Sequence, residues 1–548
     1  MTGSYDVIVV GGGPAGCVAS SALARRGRRV LLLEAERFPR NHLGESLSPV
    51  VLEALDSVGV RGQVEGAGFV AKGGATFVWG RDRRPWTVRY GEAGQGGGGL
   101  QVRRSELDHI LLQHAAAIGV EVRKGCRVRE VLFQAGRAAG VRFLDPDGVA
   151  HIVPASWIVD ASGQAALLAH RLGLVEPHPR LRATAVWSYW TGGGRLPGVD
   201  RGNSLFVSRE AGCCWYLPIE DEANLVSVGV VAPPSGRRPA DEDPDGFYRQ
   251  AVAGAEVIPG LLAGARRAAP VRVTAASAYR ASRMAGPGWL LAGDAACFVD
   301  AILTPGVELA CTHGSLAAAT LGSVLDDPGL EAAALDWYEQ SCAPRYHTFV
   351  ELCLNLYGGT ESFPGGGPDP ESGRLAFLSL ISGLSLEELP LALGRYLGVR
   401  KRAAARGGPP PILGEEEGFR FLTRRFHELR LRQGRGHLRG EDLGADSLLR
   451  AAQGVRTGHE VFLAPGEGGL RRRWAVRNRF GDRFEPTRQL EALLGALDGG
   501  SPYHDVEQQV CKALDLDPED CRDAFHRWVE LLADQALVEW QPRTGRNG

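Results

Sequence analysis

The segment Val7-Ile8-Val9-Val10-Gly11-Gly12-Gly13-Pro14-Ala15-Gly16 constrains this chain more than any other. An apolar run breaks into a glycine turn and then into a helical pattern, the order a dinucleotide-binding βαβ unit requires. Gly11 permits the tight turn, Gly13 lets the backbone approach a pyrophosphate, and Gly16 lets the helix lie close to the strand. The diphosphate then rests on free N–H groups at the helix start, where the helix dipole favours negative charge. A second apolar strand, Val30-Leu31-Leu32-Leu33, ends in Glu34. A carboxylate about 20 residues past the glycines is expected to hold ribose hydroxyls.

The 548 residues are enough for two or three domains with real cores. A net charge of -2 gives no bulk attraction to nucleic acid or to an anionic membrane. No apolar run approaches the ~20 residues that span a bilayer. The ten cysteines are scattered with no CxxC pair, so neither a metal site nor a disulfide framework is expected, and the adjacent Cys213 and Cys214 should be reduced. The chain opens straight into a strand pattern without a signal-peptide signature, which points to a cytoplasmic protein.

Residues 1–350 read as one interleaved α/β core, a Rossmann-like nucleotide-binding domain carrying an inserted β-rich substrate domain. Strand patterns recur at Thr76 to Trp79, Val120 to Val122, Val128 to Phe133, Trp157 to Val159 and Trp289 to Leu291. A helix is expected over Glu106 to Ile118 behind Ser105 as cap. The β-rich stretches Ala185 to Tyr189 and Leu225 to Val231 point to the sheet of the inserted domain. Residues 351–440 read as a helical and linker region, with proline- and glycine-rich loops and an Arg-rich helical stretch between Gly418 and Arg435. Residues 441–548 read as a small, mainly helical accessory module of winged-helix type. There Trp474, Val476 and Phe480 alternate along a strand, Phe525, Trp528, Val529 and Leu532 mark a helical face, and Leu537 to Trp540 form a last strand. Its basic run Arg471 to Arg473 is read as solvated surface rather than a nucleic-acid contact.

The second cofactor signal is Gly293-Asp294-Ala295-Ala296, directly after the apolar strand Trp289 to Leu291. A carboxylate there can accept from ribityl hydroxyls. The helical run that starts near Gly306 would aim its dipole at the flavin edge that becomes negative on reduction. With the first motif this points to FAD rather than NAD. Arg104 is a further candidate contact, with a plain surface arginine as its alternative.

Gly11 to Gly16, Gly44-Glu45-Ser46-Leu47, Lys72 with Gly74 to Phe77, Val102 to Asp108, Val159 to Gly163 and Gly293 to Ala296 occur in this order. Together they resemble flavin-dependent halogenases, especially those acting on phenols, pyrroles or carrier-tethered substrates. The resemblance covers about the first 350 residues. It implies FAD reduced by a separate flavin reductase, oxidation of chloride or bromide to hypohalous acid with O2, and passage of that acid through a tunnel to a lysine beside the substrate. Lys72 matches the lysine, whose burial would lower its pKa. Glu45 would lie close to the flavin; the alternative is a carboxylate capping the next helix.

Three departures from the family pattern stand out. The tunnel motif WxWxIP reads Cys213-Cys214-Trp215-Tyr216-Leu217-Pro218, so Trp215 and Pro218 remain while the first tryptophan is Cys213. The motif FxxPxxSxG reads Phe298 to Gly306, with Ala301 and Thr304 substituted. Proline at 305 has no N–H, so half of the backbone donor pair that holds halide in this family is gone, leaving Gly306. Losing one such donor costs about 1.5–3 kcal/mol. Glu308, in the first helical turn, would repel halide further if it faced inward, and is a candidate proton carrier. These departures keep a second reading open, a flavin monooxygenase or oxidase that has lost the halide site. Lys72, Glu45 and Glu308 are thus the candidate catalytic residues.

Overall fold

The computed structural model describes residues 4–357 apart from 41, 80–82, 91–97, 210–211, 233–242 and 303. Beyond these it describes 448–451, 456–463, 470–477, 483–484, 492–494, 496–497, 501–514, 525, 529 and 538–541. The chain divides into two compact units, Met1–Gly418 and Phe419–Gly548.

Five strands of the first unit run parallel in the order Trp289–Leu291, Ala150–Asp160, Tyr5–Val10, Val30–Glu34 and Glu121–Lys124. Parallel strands are covered on both faces and so read as continuous apolar runs; Val7, Ile8 and Val9 have no exposed surface. The register sets Val10 beside Leu33 and Asp160, and Asp160 beside Leu291. Gly11, Glu34, Ala161 and Asp294 therefore emerge along one edge, at the carboxyl ends of the strands, where open α/β sheets bind ligands. The first half of Ala150–Asp160 continues into an antiparallel ribbon with Arg137–Leu144 and Arg127–Gln134.

Helix Pro14–Arg25 starts directly after the glycine turn, with proline in its first turn. Gly11 has φ +106, and a Cβ there would meet the Ala161 carbonyl oxygen at 2.2 Å. A Cβ at Gly16 would lie 2.0 Å from the Gly11 oxygen, so helix and turn touch through bare backbone. The 22-residue helix Pro305–Asp326 packs beside this one through Gly314, where a Cβ would lie 2.5 Å from the Ala15 oxygen. The 27-residue helix Glu331–Tyr357 follows.

The second sheet has eight strands. Its order is Arg266–Arg267, Thr184–Thr191, Leu225–Ala232, Gly212–Glu220, Ser204–Arg209, Gly74–Val78 and Pro85–Arg89, with Arg272–Ala275 also paired to Thr184–Thr191. It is antiparallel except where Ser204–Arg209 meets Gly74–Val78. The β-rich stretches read from the sequence are thus adjacent strands, in a sheet that gathers segments far apart in the chain. One face packs Val186, Val207, Cys214, Tyr216, Val228 and Val230 against Tyr248, Ala251 and Val252 of helix Pro244–Ala253. The period of two then turns Cys213, Trp215 and Leu217 to the opposite face. A three-stranded sheet of Ser46–Leu47, Gly99–Gln101 and Val70–Lys72 brings the Glu45 and Lys72 segments onto the same central strand.

In the second unit Leu448–Ala451 pairs with Ser501–Pro502 and Val538–Gln541. Arg456–Leu463 and Leu470–Arg477 form a hairpin joined by Arg483–Phe484. Helix Tyr503–Leu514 buries Val506 and Val510 with Leu493, Phe525 and Val529. The strands expected at Trp474 and before Trp540 are present, and Phe525 and Val529 share a core as expected. Phe480, Trp528, Leu532 and the Arg-rich stretch 418–435 lie outside the described residues. Among the described residues eight cysteines are free and buried, Cys213 and Cys214 included. Cys511 is disulfide-bonded, a pairing that the cysteine spacing did not signal. No described helix is long and apolar enough to cross a membrane.

Gly16→Ala forces backbone apart at the glycine turn. The expected cost is about 1–3 kcal/mol, as for other overpacked sites. It should appear as a lower Tm, with weakened FAD uptake followed by flavin fluorescence.

Candidate active site

A cavity of about 1010 Å³ opens at the carboxyl edge of the parallel sheet. Gly11, Gly13, Glu34, Glu45, Arg104, Trp215, Asp294, Thr304 and Gly306 all line it, so the structure gathers most of the sequence-derived residues around one space. Gly16 lies behind it as a packing residue. The volume is at the upper end for cofactor pockets. A Cβ at Gly306 would meet nothing closer than Asp294 Oδ1 at 3.9 Å, so the start of the long helix is open toward the carboxylate expected to face the ribityl chain. Glu34 closes the second strand. Its Oε2 accepts from the Gly12 amide at 2.7 Å and its Oε1 from the Glu36 amide at 2.7 Å. Each carboxylate oxygen keeps a further lone pair for a ribose hydroxyl. These residues fit FAD: Gly11, Gly13 and Glu34 would hold its nucleotide half, and Arg104, Asp294 and Gly306 its ribityl and ring end.

Arg104 is no surface arginine. Its Nε and Nη2 donate to Asp108 Oδ1 and Oδ2 at 2.8 and 3.1 Å, and its Nη1 donates to the Leu43 carbonyl at 2.7 Å. Asp108 is fully buried. The helix runs Arg104–Ala117 with Arg103 at its N-cap, so Ser105 lies inside the first turn rather than capping it. Arg104 and Asp108 thus stand one turn apart on the same face. Burial pushes the Asp294 carboxyl up to about 6, against the pull of Arg104.

Glu45 is 2% exposed, and its Oε2 has no hydrogen-bond partner. It does not cap the following helix, whose N-cap is Ser48. Burial raises its pKa to about 7, opposed by hydrogen bonds from Ser227 and Tyr189 and by the charges of Arg104 and Arg272. Ser227 Oγ also accepts from Trp215 Nε1 at 3.3 Å. The retained tunnel tryptophan is therefore tied to Glu45 through one serine. Pro218 is buried in the strand Gly212–Glu220 and is absent from the walls of both this cavity and the next.

Thr304 and the start of the long helix stand between the large cavity and a small one of about 20 Å³. Thr304 adopts the left-handed conformation (φ +56) as N-cap and lines both spaces. Gly306 and Val307 face the large cavity, while Pro305 and Glu308 face the small one. Lys72 lies in the small cavity, 7% exposed, its Nζ 5.3 Å from the centroid of the Tyr90 ring. Burial lowers its pKa to about 7, opposed by Glu308. Phe77, Phe206 and Phe349 complete the apolar wall. Glu308 is 4% exposed and does turn inward. Arg345 Nη1 donates to its Oε1, and Ser48 Oγ donates to its Oε2 at 2.6 Å. Burial raises its pKa, with Arg345 the strongest opposing charge. Its charge is thus met by a guanidinium, and it borders the lysine cavity rather than the amides of Gly306 and Val307.

Fold and cavity together define an FAD-binding protein, and residues 4–352 match the FAD binding domain family. Flavin-dependent halogenase armH3 of Armillaria mellea is 32% identical over 374 residues, 65% of this chain and 74% of the relative. Tryptophan 2-halogenase of Chondromyces crocatus is 31% identical over 366 residues, 65% of this chain and 68% of the relative. The solved myxobacterial chondrochloren halogenase CndH, an FAD-dependent halogenase, has a TM-score of 0.63 at 31% identity, covering 71% of this chain and 92% of that one. The flavin-dependent halogenase CmlS has a TM-score of 0.71, covering 100% of this chain and 99% of that one; at 23% identity it speaks to the fold alone. This chain belongs to the flavin-dependent halogenases, and its cofactor is FAD.

Sequence reading missed the residues that hold the site residues in place. Asp108 carried a signal, its spacing of four from Arg104 in a helix. Ser227, Tyr189, Ser48 and Arg345 carried none, because each reaches its carboxylate across the fold. Arg104→Ala leaves the buried Asp108 with Arg40 Nη2 at 3.8 Å as its remaining cation. Urea unfolding should show a loss of about 3 kcal/mol. Glu45→Gln should grow more stable relative to the parent as pH rises from about 4.5 to about 7, then level off. The sign follows because a raised carboxyl pKa means the folded parent holds a proton that the unfolded chain has already released. Thermal unfolding across that range reads it.

Proposed function

We propose that the chain is a cytoplasmic enzyme that halogenates an electron-rich aromatic, free or tethered to a carrier protein, with reduced FAD from a separate flavin reductase. Bound reduced FAD supplies the activation of O2 that oxidises chloride or bromide to hypohalous acid. One observation carries the reading: Lys72 is a buried amine in a small aromatic-walled cavity of its own, and Thr304 lines both that cavity and the cofactor cavity.

Each residue then has a task. The amides of Gly306 and Val307 at the helix start favour an anion, as free N–H groups and the helix dipole do. Pro305 supplies none, so halide affinity should be weaker than a full donor pair allows. Trp215, held by Ser227, walls the cofactor side, and Thr304 borders the passage between the two spaces. Lys72, with a pKa near 7, exists in both charge states at neutral pH. Its ammonium donates to hypohalous acid and holds the halogen against the substrate ring. Glu45 stays near the flavin with one unpartnered oxygen, able to hold a proton at neutral pH. The monooxygenase or oxidase reading is not favoured, because armH3 and the tryptophan 2-halogenase, relatives at 31–32% identity, are halogenases.

The test is incubation with FAD, a flavin reductase and candidate aromatics, with and without bromide, followed by mass spectrometry. Halogenation replaces one ring hydrogen by halogen and requires the halide. Lys72→Ala should lower product by about 100-fold or more, the usual scale for a lost proton-transfer or donor group. An oxygenated product formed without halide, or full halogenation by Lys72→Ala, overturns the proposal.

A further inference from the structure

Making hypohalous acid consumes a proton. Fully reduced FAD, O2, one halide ion and one proton become oxidised FAD, hypohalous acid and water. Halogen transfer to a ring then turns a C–H and hypohalous acid into a C–halogen bond and water, with no proton left over. Chemistry at Lys72 therefore cannot supply the one that is needed. It has to reach the cofactor cavity from solvent on every turnover.

A cleft of about 210 Å³, distinct from the two cavities above, adjoins the cofactor cavity. Ala268 on its wall is exposed, and Arg103 and Ala269 are partly so, which places its mouth at the surface. Among the described residues, His42, Glu45 and Arg104 line both the cleft and the cofactor cavity. Arg104 is committed to Asp108, and His42 is exposed. Glu45 is the buried member of the three that can gain and lose a proton. Its Oε2 has no hydrogen-bond partner. A buried polar atom in that position is met by ordered water where adjoining space is polar and large enough, and this cleft has room for several waters.

We propose that Glu45 and the cleft beside it are the proton entry of the cofactor cavity: water in the cleft protonates the Glu45 carboxylate, which hands the proton on into the space that holds the flavin. This rests on the production of hypohalous acid proposed above.

The surroundings suit a group that must change charge repeatedly. Tyr189 and Ser227 hydrogen-bond to Glu45 from neighbouring strands, and Arg104 and Arg272 add positive charge from the helix Arg104–Ala117 and the strand Arg272–Ala275. All four favour the carboxylate, while burial favours the acid, and the balance leaves the carboxyl at about 7. Both forms are then accessible at neutral pH. Tyr189 also lines the cleft, so the residue that orients Glu45 borders the water that would reach it. Each proton taken up meets the negative charge of one halide ion, so the cavity gains no net charge over a turnover.

The first test uses the oxidised, FAD-loaded protein without reductant, halide or substrate. The pH is dropped rapidly from above to below the Glu45 pKa of about 7, and the infrared band of a newly protonated carboxyl is followed in time. The parent should show a band that Glu45→Gln lacks. Ala269→Trp, which fills the mouth of the cleft, should slow the rise of that band without changing its final height. Leu225→Trp fills the same cleft from another strand and is read alongside it, so one poorly folded variant does not decide the matter. No band lost in Glu45→Gln, or an unchanged rise in both filled variants, overturns the inference. In turnover with reduced FAD and bromide, Glu45→Gln should form brominated product about 100-fold more slowly, the scale of a lost proton-transfer group. Formic acid, small enough for the cleft, should recover part of that rate. Parent-like turnover by Glu45→Gln, with bromide still required, overturns the proton entry and leaves halogenation standing. Product that forms without bromide removes the halogenation reading instead, and the infrared result still decides whether Glu45 takes its proton through the cleft.

Discussion

The site depends on one packing contact, the seating of the helix Pro305–Asp326 on the helix Pro14–Arg25. It is close because Gly314 carries no side chain and meets the Ala15 backbone. From that seat the long helix projects its first turn between two cavities, with Gly306 and Val307 toward one and Pro305 and Glu308 toward the other. Four consecutive residues thus separate the flavin side from the lysine side. A shift of the helix by one turn, about 5.4 Å, would move the Gly306 and Val307 amides and the Glu308 carboxylate together.

Buried charge is the second organising feature. Asp108, Glu308 and Lys72 all lie in surroundings where an isolated ion is costly. Arg104 answers Asp108 with a bidentate pair, and Arg345 with Ser48 answers Glu308. Lys72 has no such dedicated carboxylate, and its amine pays in basicity instead, falling to about 7. Glu45 likewise keeps an unpartnered oxygen beside the cofactor cavity. Lys72 and Glu45, less completely answered, are the groups whose pKa values burial moves to about 7.

Much of the fold was legible locally. The glycine turn, Glu34 at the end of its strand and the Gly293 to Ala296 turn each carry their constraint within a few residues, and each appears where the pattern puts it. Trp215 was legible as a motif, but its partnership with Ser227 and Glu45 was not, because that link spans strands whose pairing no local pattern reveals. Arg104 stood open between a contact and a surface residue until its helix placed Asp108 one turn on. The orientation of Glu308 was undecidable from sequence, since its counter-charge Arg345 lies 37 residues away on another helix. The interleaving of the β-rich sheet was legible, but its strand pairing was not, the parallel pairing of Ser204–Arg209 with Gly74–Val78 being one that only the tertiary fold sets.

By itself, the sequence determined the chemistry this chain can carry. Turns that only glycine allows, an apolar parallel-sheet pattern and a proline without an N–H are covalent facts that hold wherever the residues end up. Tertiary structure alone decided which groups share a cavity and at what proton affinity. Burial and the pairing of remote charges depend on distances of a few ångströms, and those exist only once the chain has closed on itself.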